Sequence, residues 1–140
     1  MDLGLRPLVD VNKIAIIGHC FGGLCALDLA RAVPMGILGA ISLHAPLGAP
    51  EISEQEKITA SIMVLHSWED PVAKTENFLQ FTEEMTKANG DWQVHVYGHA
   101  KHAFTFVGAD IRMIGIKYNE KAHLRSNKSV SEFLKEIFNR

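Results

Sequence analysis

The chain is poor in cysteine, in runs of positive charge and in long apolar stretches. Two cysteines in 140 residues are too few for a framework of disulfide bonds. No basic run exceeds two residues and the formal net charge is −2, so nothing favours nucleic acid or an acidic membrane as a partner. No apolar run approaches the roughly 18 residues of a membrane span, and the first residues lack the basic start and apolar core of a signal peptide. We therefore expect a cytoplasmic protein.

What the chain does contain is an alternation of strand and helix patterns. It is 47% hydrophobic, and 140 residues suffice for one domain, spanning residues 1–140, that buries about two-thirds of its unfolded surface. Alternating strands and helices indicate a parallel sheet. We predict strands at 13–17, 37–43, 62–66 and 92–97, helices at 24–33, 76–88 and 129–138, a helix tail at 1–8, a polar loop at 47–59 and an irregular segment at 106–121.

The most informative motif is the run Gly18-His19-Cys20-Phe21-Gly22. It follows an apolar strand and opens a helix, which is the setting of a nucleophile elbow with cysteine in place of serine. We expect the glycines on both sides of the turn to be required because a Cβ there would collide with the helix or the strand. Such a turn exposes the Cys20 thiol and leaves the Phe21 N–H free for a developing oxyanion. A helix N-terminus and a nearby imidazole would both favour the thiolate.

An acidic residue and a histidine follow two later predicted strands. Asp70 comes just after the strand at 62–66, and His102 comes after the strand at 92–97. The order nucleophile, acid, histidine is that of α/β-hydrolases, and parallel strands present their carboxyl ends at one edge of a sheet. Cys20, Asp70 and His102 are therefore predicted to meet there.

These motifs together resemble the dienelactone hydrolase family. The resemblance covers about residues 9–138 and is carried by the elbow and by the stretches 9–14, 65–71, 102–105 and 118–126. It implies an α/β-hydrolase fold with a Cys20–His102–Asp70 triad. The function it implies is hydrolysis of an ester or lactone through a thioester on Cys20, with no metal or organic cofactor.

The chain departs from the family pattern in two ways. The elbow begins at residue 18, whereas a full domain of this type runs to roughly 200–250 residues. We therefore expect a partial fold of about four parallel strands with flanking helices, without the N-terminal strands and without the loop that supplies the second oxyanion N–H. Phe106 also stands where dienelactone-cleaving members carry an arginine for the substrate carboxylate. This makes dienelactone itself a doubtful substrate.

Other interpretations of the same residues remain open. Glu69 competes with Asp70 for the acidic role, and His99 competes with His102 for the base. His99 and His102 together with Cys20 could instead bind zinc, since all three are nitrogen or sulfur ligands. The protein could also be a non-catalytic remnant or interaction module of the same fold, or a redox sensor that uses Cys20.

Three further expectations concern the surroundings of the site. Cys25 is predicted to be a small buried residue that does not pair with Cys20. His19 and His44, near the sheet edge, are predicted to line the pocket. The elbow strand lacks a partner strand on one side within this sequence, so we expect the chain to self-associate through that edge or to bind a separate N-terminal half.

Overall fold

A computed structural model describes residues 8–50 and 56–139. Its main sheet has four parallel strands, as the sequence predicts, and each strand is hydrogen-bonded to the one that follows it along the chain. The strands are β1 (Ile14–His19), β2 (Ile37–Leu43), β3 (Ser61–Ser67) and β4 (Asp91–Tyr97), and the helices are α1 (Phe21–Arg31), α2 (Thr75–Lys87) and α3 (Glu120–Phe138).

The core is divided by the sheet into two apolar clusters. On one face, Leu27 of α1 and Phe81 of α2 pack with alternate residues of β2 and β3. On the other face, Phe133 and Ile137 of α3 pack against residues such as Ile41 of β2. The alternation arises because successive side chains of a strand point to opposite faces. The result is a three-layer α/β arrangement with both sheet faces covered by helices.

The helix boundaries differ from the predicted ones for local reasons. The third helix begins at Glu120, nine residues earlier than predicted, because Asn119 Oδ1 accepts a hydrogen bond from the Ala122 N–H at 3.1 Å and caps the helix. Its first half buries small residues, Ala122 and Ser126, which give a weak apolar pattern. Helix α1 runs from Phe21 to Arg31, so it begins three residues earlier and ends two residues earlier than predicted.

The segment predicted to be irregular contains a small antiparallel pair, β5 (Asp110–Ile111) and β6 (Ile116–Lys117). The apolar residues of the second helix, Phe78, Leu79, Phe81 and Met85, are spaced as an inward face; Phe81 and Met85 of α2 are buried, but Leu79 is 55% exposed. The predicted helix tail at 1–8 and the polar loop at 47–59 fall largely or partly outside the described residues. Across residues 8–50 and 56–139, no helix has both the length and the apolar character needed to cross a bilayer.

A buried arginine joins α1 to α2. The side chain of Arg31 is 1% exposed and pairs with Glu84 of α2 through Nε at 2.7 Å and with Asp28 through Nη1 at 2.8 Å. Its other guanidinium hydrogens reach the carbonyl oxygens of Leu47 and Gly48, both at 3.2 Å. The planar fork of arginine suits this arrangement, because a single cation meets acceptors on two helices and one loop.

Candidate active site

Cys20 lies on a sharp turn between β1 and α1. Its backbone has φ 54° and ψ −125°, a conformation that costs a residue with a Cβ of order 1–3 kcal/mol. A Cβ at Gly18 would overlap the carbonyl group of Gly22, and a Cβ at Gly23 would lie 2.6 Å from the Cβ of Ala45. The expectation for Gly22 is wrong, since a Cβ there meets nothing within 4 Å. The close approach of helix to sheet occurs one residue later, at Gly23.

The turn brings the Cys20 thiol to His102. Cys20 Sγ and His102 Nε2 are 2.9 Å apart, and His102 Nδ1 is 2.9 Å from Asp70 Oδ2. Both His102 and Asp70 are about 5% exposed, whereas Cys20 is exposed. The structure therefore brings the three predicted residues into one hydrogen-bonded chain whose thiol end faces solvent.

Asp70 is held by three donors. Besides His102, the Ser67 hydroxyl donates to its Oδ2 at 2.8 Å and the Val72 N–H donates to its Oδ1 at 2.9 Å. Burial alone would raise the pKa of Asp70, but these hydrogen bonds outweigh burial and hold the pKa below its ordinary value. Ser67 was not identified from the sequence. Its position three residues before an acidic turn residue is the signal that could have suggested this role.

The same contacts raise the pKa of His102. Its hydrogen bond to Asp70 is the largest cause, and with the Cys20 contact it outweighs burial and raises the pKa to about 9. His102 is therefore protonated at neutral pH, and its ring carries a positive charge between the carboxylate and the sulfur. This places a cationic ring within hydrogen-bond distance of the Cys20 sulfur.

The competing residues Glu69 and His99 form a pair of their own. His99 Nδ1 is 2.8 Å from Glu69 Oε1, and the His99 side chain is 94% exposed. His102 has both ring nitrogens engaged elsewhere. Over residues 8–50 and 56–139, no three histidine, cysteine or carboxylate side chains are grouped to hold a metal ion. The geometry thus favours the chain through Asp70 and gives no support to a zinc site.

The structure tests the prediction made for Cys25. Both are free and exposed, so the prediction that Cys25 is buried is wrong. The buried face of α1 is formed by Gly23, Ala26, Leu27, Ala30 and Arg31, and Cys25 lies outside it.

Phe21 is the first residue of α1, directly after Cys20. The first N–H groups of a helix have no acceptor within the helix, so the Phe21 N–H is suited to bind an anion next to the sulfur. The Phe21 side chain itself is 71% exposed.

A cleft of about 390 Å³ opens over the thiol. His19 and His44 line it, as predicted, and Phe106 forms part of its wall. The sequence analysis missed its other lining residues, which are Ala103, Thr105, His123 and Asn127.

Backbone strain is concentrated at this cleft. Cys20, His44 and Ala103 all have positive φ values, at 54°, 39° and 57°, and all three line the cleft. Residues other than glycine rarely adopt this region, and such strain tends to cluster at functional sites. The elbow motif marks the turn at Cys20, whereas His44 and Ala103 carry no sequence signal of strain, because neither is glycine or asparagine.

Comparisons with known proteins identify the family to which this chain is similar. The model of the family described as "Dienelactone hydrolase family" matches residues 3–138. An uncharacterised Caenorhabditis elegans protein is 39% identical over 134 residues, which are 94% of this chain and 85% of that protein.

Two solved structures are similar over nearly the whole chain. One is titled m3DLH, with 34% identity and a TM-score of 0.88. The other is the dienelactone hydrolase-like promiscuous phosphotriesterase P91 from metagenomic libraries, with 32% identity and a TM-score of 0.88. Each alignment covers 96% of this chain and 56% of the solved chain, so this chain spans little more than half the length of those structures.

Proposed function

This chain belongs to the dienelactone hydrolase family, and from that premise we propose that it hydrolyses carboxylic esters or lactones with Cys20 as the nucleophile. The observation that carries the proposal is the hydrogen-bonded chain from Cys20 Sγ through His102 to Asp70, with both contacts at 2.9 Å. This is the geometry of an activated nucleophile, a base and a group that orients the base.

In the proposed reaction, the thiolate of Cys20 attacks the carbonyl carbon of the ester. The carbonyl oxygen becomes an oxyanion and accepts a hydrogen bond from the Phe21 N–H. As the carbon–oxygen bond breaks, His102 gives its proton to the leaving alkoxide, and the acyl group remains on sulfur as a thioester. His102 then takes a proton from water, the hydroxide attacks the thioester, and the acid leaves with regeneration of the thiolate. Asp70 stabilises the imidazolium form of His102 and orients the ring while it is neutral.

One oxyanion donor is assigned to residues of this sequence, and the second would come from a loop before the elbow strand. Loss of one such donor costs about 10²–10³-fold in turnover. We therefore expect slow hydrolysis from this chain by itself. The alternative proposal is that the protein is not catalytic and acts by binding a partner through the same fold.

The activity is tested with 4-nitrophenyl butyrate and with mass spectrometry of the intact protein. We expect slow release of 4-nitrophenol and a butyryl adduct on the protein, both lost in Cys20→Ala and kept in the matched control Cys25→Ala. Equal rates for the wild type and Cys20→Ala would contradict the proposal and favour the non-catalytic alternative. Turnover as fast as that of a complete hydrolase would show that another group replaces the second donor.

Phosphotriester hydrolysis is a second candidate activity. The supporting observation is the 32% identity to P91, which is titled a promiscuous phosphotriesterase. Paraoxon assayed beside the carboxylic ester separates the two. Release of 4-nitrophenol from paraoxon that depends on Cys20 would support this activity.

The open edge of β1 supports a proposal about partners. Within the described residues β1 pairs only with β2, and Ile17 on it is 51% exposed. An unpaired apolar strand edge is a template for pairing with another chain. We propose self-association through this edge, or pairing with an N-terminal half supplied separately. Light scattering at micromolar concentration should report a dimer or larger species, and Ile17→Lys should shift it towards monomer. A stable wild-type monomer would contradict the proposal.

A further inference from the structure

Burial of the His44 side chain at this cleft costs the fold free energy. It is 3% exposed, its φ is 39°, and its Nδ1 makes no hydrogen bond within the described residues. Its ring packs against those of His102 and Phe104, with centroids 5.4 Å and 5.2 Å away. A strained, buried and half-satisfied imidazole in a core position requires an explanation, because an apolar side chain would cost less there.

Among the residues that the structure describes, the polar side-chain contact made by His44 leads into the cleft. Its Nε2 lies 2.8 Å from Thr105 Oγ1, and both residues line the cleft beside Cys20. A hydroxyl can donate once and accept twice, so His44 uses only part of the hydrogen-bonding capacity of Thr105. The remaining capacity is available to a molecule in the cleft, and the contact with His44 limits how the hydroxyl can turn.

The charge in the cleft determines what kind of molecule suits it. Burial, together with the neighbouring His102 and His19, lowers the pKa of His44 to about 4, so this ring is neutral at neutral pH. The positive charge of His102 is paired with the carboxylate of Asp70, 2.9 Å away. The lining residues in the described parts of the chain include neither lysine nor arginine. An anionic substrate group would therefore find neither cation among these residues to pair with, whereas a neutral polar group needs only a hydrogen-bond partner.

We propose that the Thr105 hydroxyl, positioned by His44, binds a hydroxyl group on the acyl part of an uncharged ester substrate and thereby sets the specificity of the site. This rests on the ester hydrolysis proposed for Cys20. The acyl part is transferred to the Cys20 sulfur in the first half-reaction and from sulfur to water in the second, so a contact with it acts in each of them. A substrate hydroxyl can donate or accept, and it therefore fits Thr105 with either neutral tautomer of His44.

The test uses two esters that differ only in a hydroxyl and a methyl group, 4-nitrophenyl 3-hydroxybutanoate and 4-nitrophenyl 3-methylbutanoate. Thr105→Val keeps the side-chain shape and removes the hydroxyl, and Thr105→Ser restores it. We expect Thr105→Val to lower kcat/KM for the hydroxy ester about three- to tenfold, the effect of one neutral hydrogen bond, mainly through KM. The methyl ester should change less than about twofold, and Thr105→Ser should recover most of the loss.

His44→Phe tests the positioning role of His44. It keeps an aromatic ring against Phe104 and removes the contact with Thr105. It should reduce the preference for the hydroxy ester while the pH dependence of Cys20 alkylation stays unchanged. A shift of that pH dependence together with equal losses for both esters would assign His44 to the support of His102 and would overturn its role at Thr105.

Failure of this proposal is distinguishable from failure of the proposed hydrolysis. If Thr105→Val affects the two esters equally while Cys20→Ala abolishes turnover, hydrolysis stands and the Thr105 subsite is wrong. If the wild type hydrolyses neither ester, 3-hydroxybutanamide and 3-methylbutanamide are titrated with detection of the His44 ring signals by NMR. Binding of the hydroxy amide alone, lost in Thr105→Val, supports the subsite without the chemistry. Equal binding or none overturns it.

Discussion

Replacement of Asp70 by asparagine tests the electrostatic arrangement of the site with almost no change in shape. In the wild type, Asp70 Oδ1 accepts from the Val72 N–H and Oδ2 accepts from His102 and Ser67. The Val72 N–H is a donor and needs an acceptor, so the side-chain oxygen of the asparagine must lie at the Oδ1 position. The amide nitrogen then faces His102 Nδ1, and two donors cannot share that contact. His102 should turn to the tautomer with its proton on Nε2, towards the sulfur.

The expected loss follows from this geometry. A neutral imidazole with its proton on Nε2 cannot accept the thiol proton of Cys20, and the imidazolium has lost its carboxylate. Removal of the orienting carboxylate in comparable triads costs about 10⁴ in turnover, and we expect a decrease of about 10³–10⁴ for Asp70→Asn.

Stability should change as well, with a defined pH dependence. The folded-state pKa of His102 is about 9, above the ordinary value of 6.5. The folded state therefore gains stability from this proton, in full below about pH 6.5, and loses it as the pH rises through about 9. At pH 7 the gain is about 2–3 kcal/mol. The difference in free energy of unfolding between the wild type and Asp70→Asn should thus narrow from pH 6 to pH 9.

Ester hydrolysis and urea denaturation at several pH values measure both effects, and Glu69→Gln is the matched control. Glu69 is the adjacent carboxylate, and it pairs with the exposed His99. We expect Glu69→Gln to retain activity within about twofold, as exposed ion pairs contribute little. Strong loss in Glu69→Gln with activity kept in Asp70→Asn would reverse the assignment. A stability difference that does not vary between pH 6 and pH 9 would refute the account of His102.

Three further outcomes are expected. Iodoacetamide at neutral pH should label Cys20 before Cys25, since only the Cys20 sulfur has an imidazole at 2.9 Å; peptide mass spectrometry checks this, and labelling of Cys25 first would contradict it. Arg31→Lys should lower the free energy of unfolding by about 3 kcal/mol, because a lysine cannot make the forked contacts to both helices. Urea denaturation measures this change. A loss under about 1 kcal/mol would argue against the contacts. Gly18→Ala should prevent stable folding, whereas Gly22→Ala should change the free energy of unfolding by no more than about 1 kcal/mol. Thermal unfolding followed by circular dichroism compares the two variants. Similar melting temperatures would be inconsistent with the turn described.

The sequence by itself determined the fold class, the four strands and the order of the three residues at the carboxyl ends of the strands. Buried parallel strands are dense in β-branched and apolar residues, so runs such as Ile62–Leu65 are recognisable without any tertiary context. The elbow was recognisable because its glycines and cysteine lie together along the chain. Choice of Asp70 over Glu69 depended on the family resemblance, and the structure supports it through contacts that span 32 residues.

The tertiary structure alone decided features that depend on which distant groups meet. The close approach at Gly23 depends on Ala45, and the exposure of Cys25 depends on how α1 turns against the sheet. The contact between His44 and Thr105 joins residues 61 positions apart, and no local pattern predicts that they meet. Periodicity and turn chemistry depend on residues that are close together along the chain, so they can be identified from the local sequence. Strain, burial of a polar ring and the charge of a cleft arise only when separate segments pack together, and they become visible only in the fold.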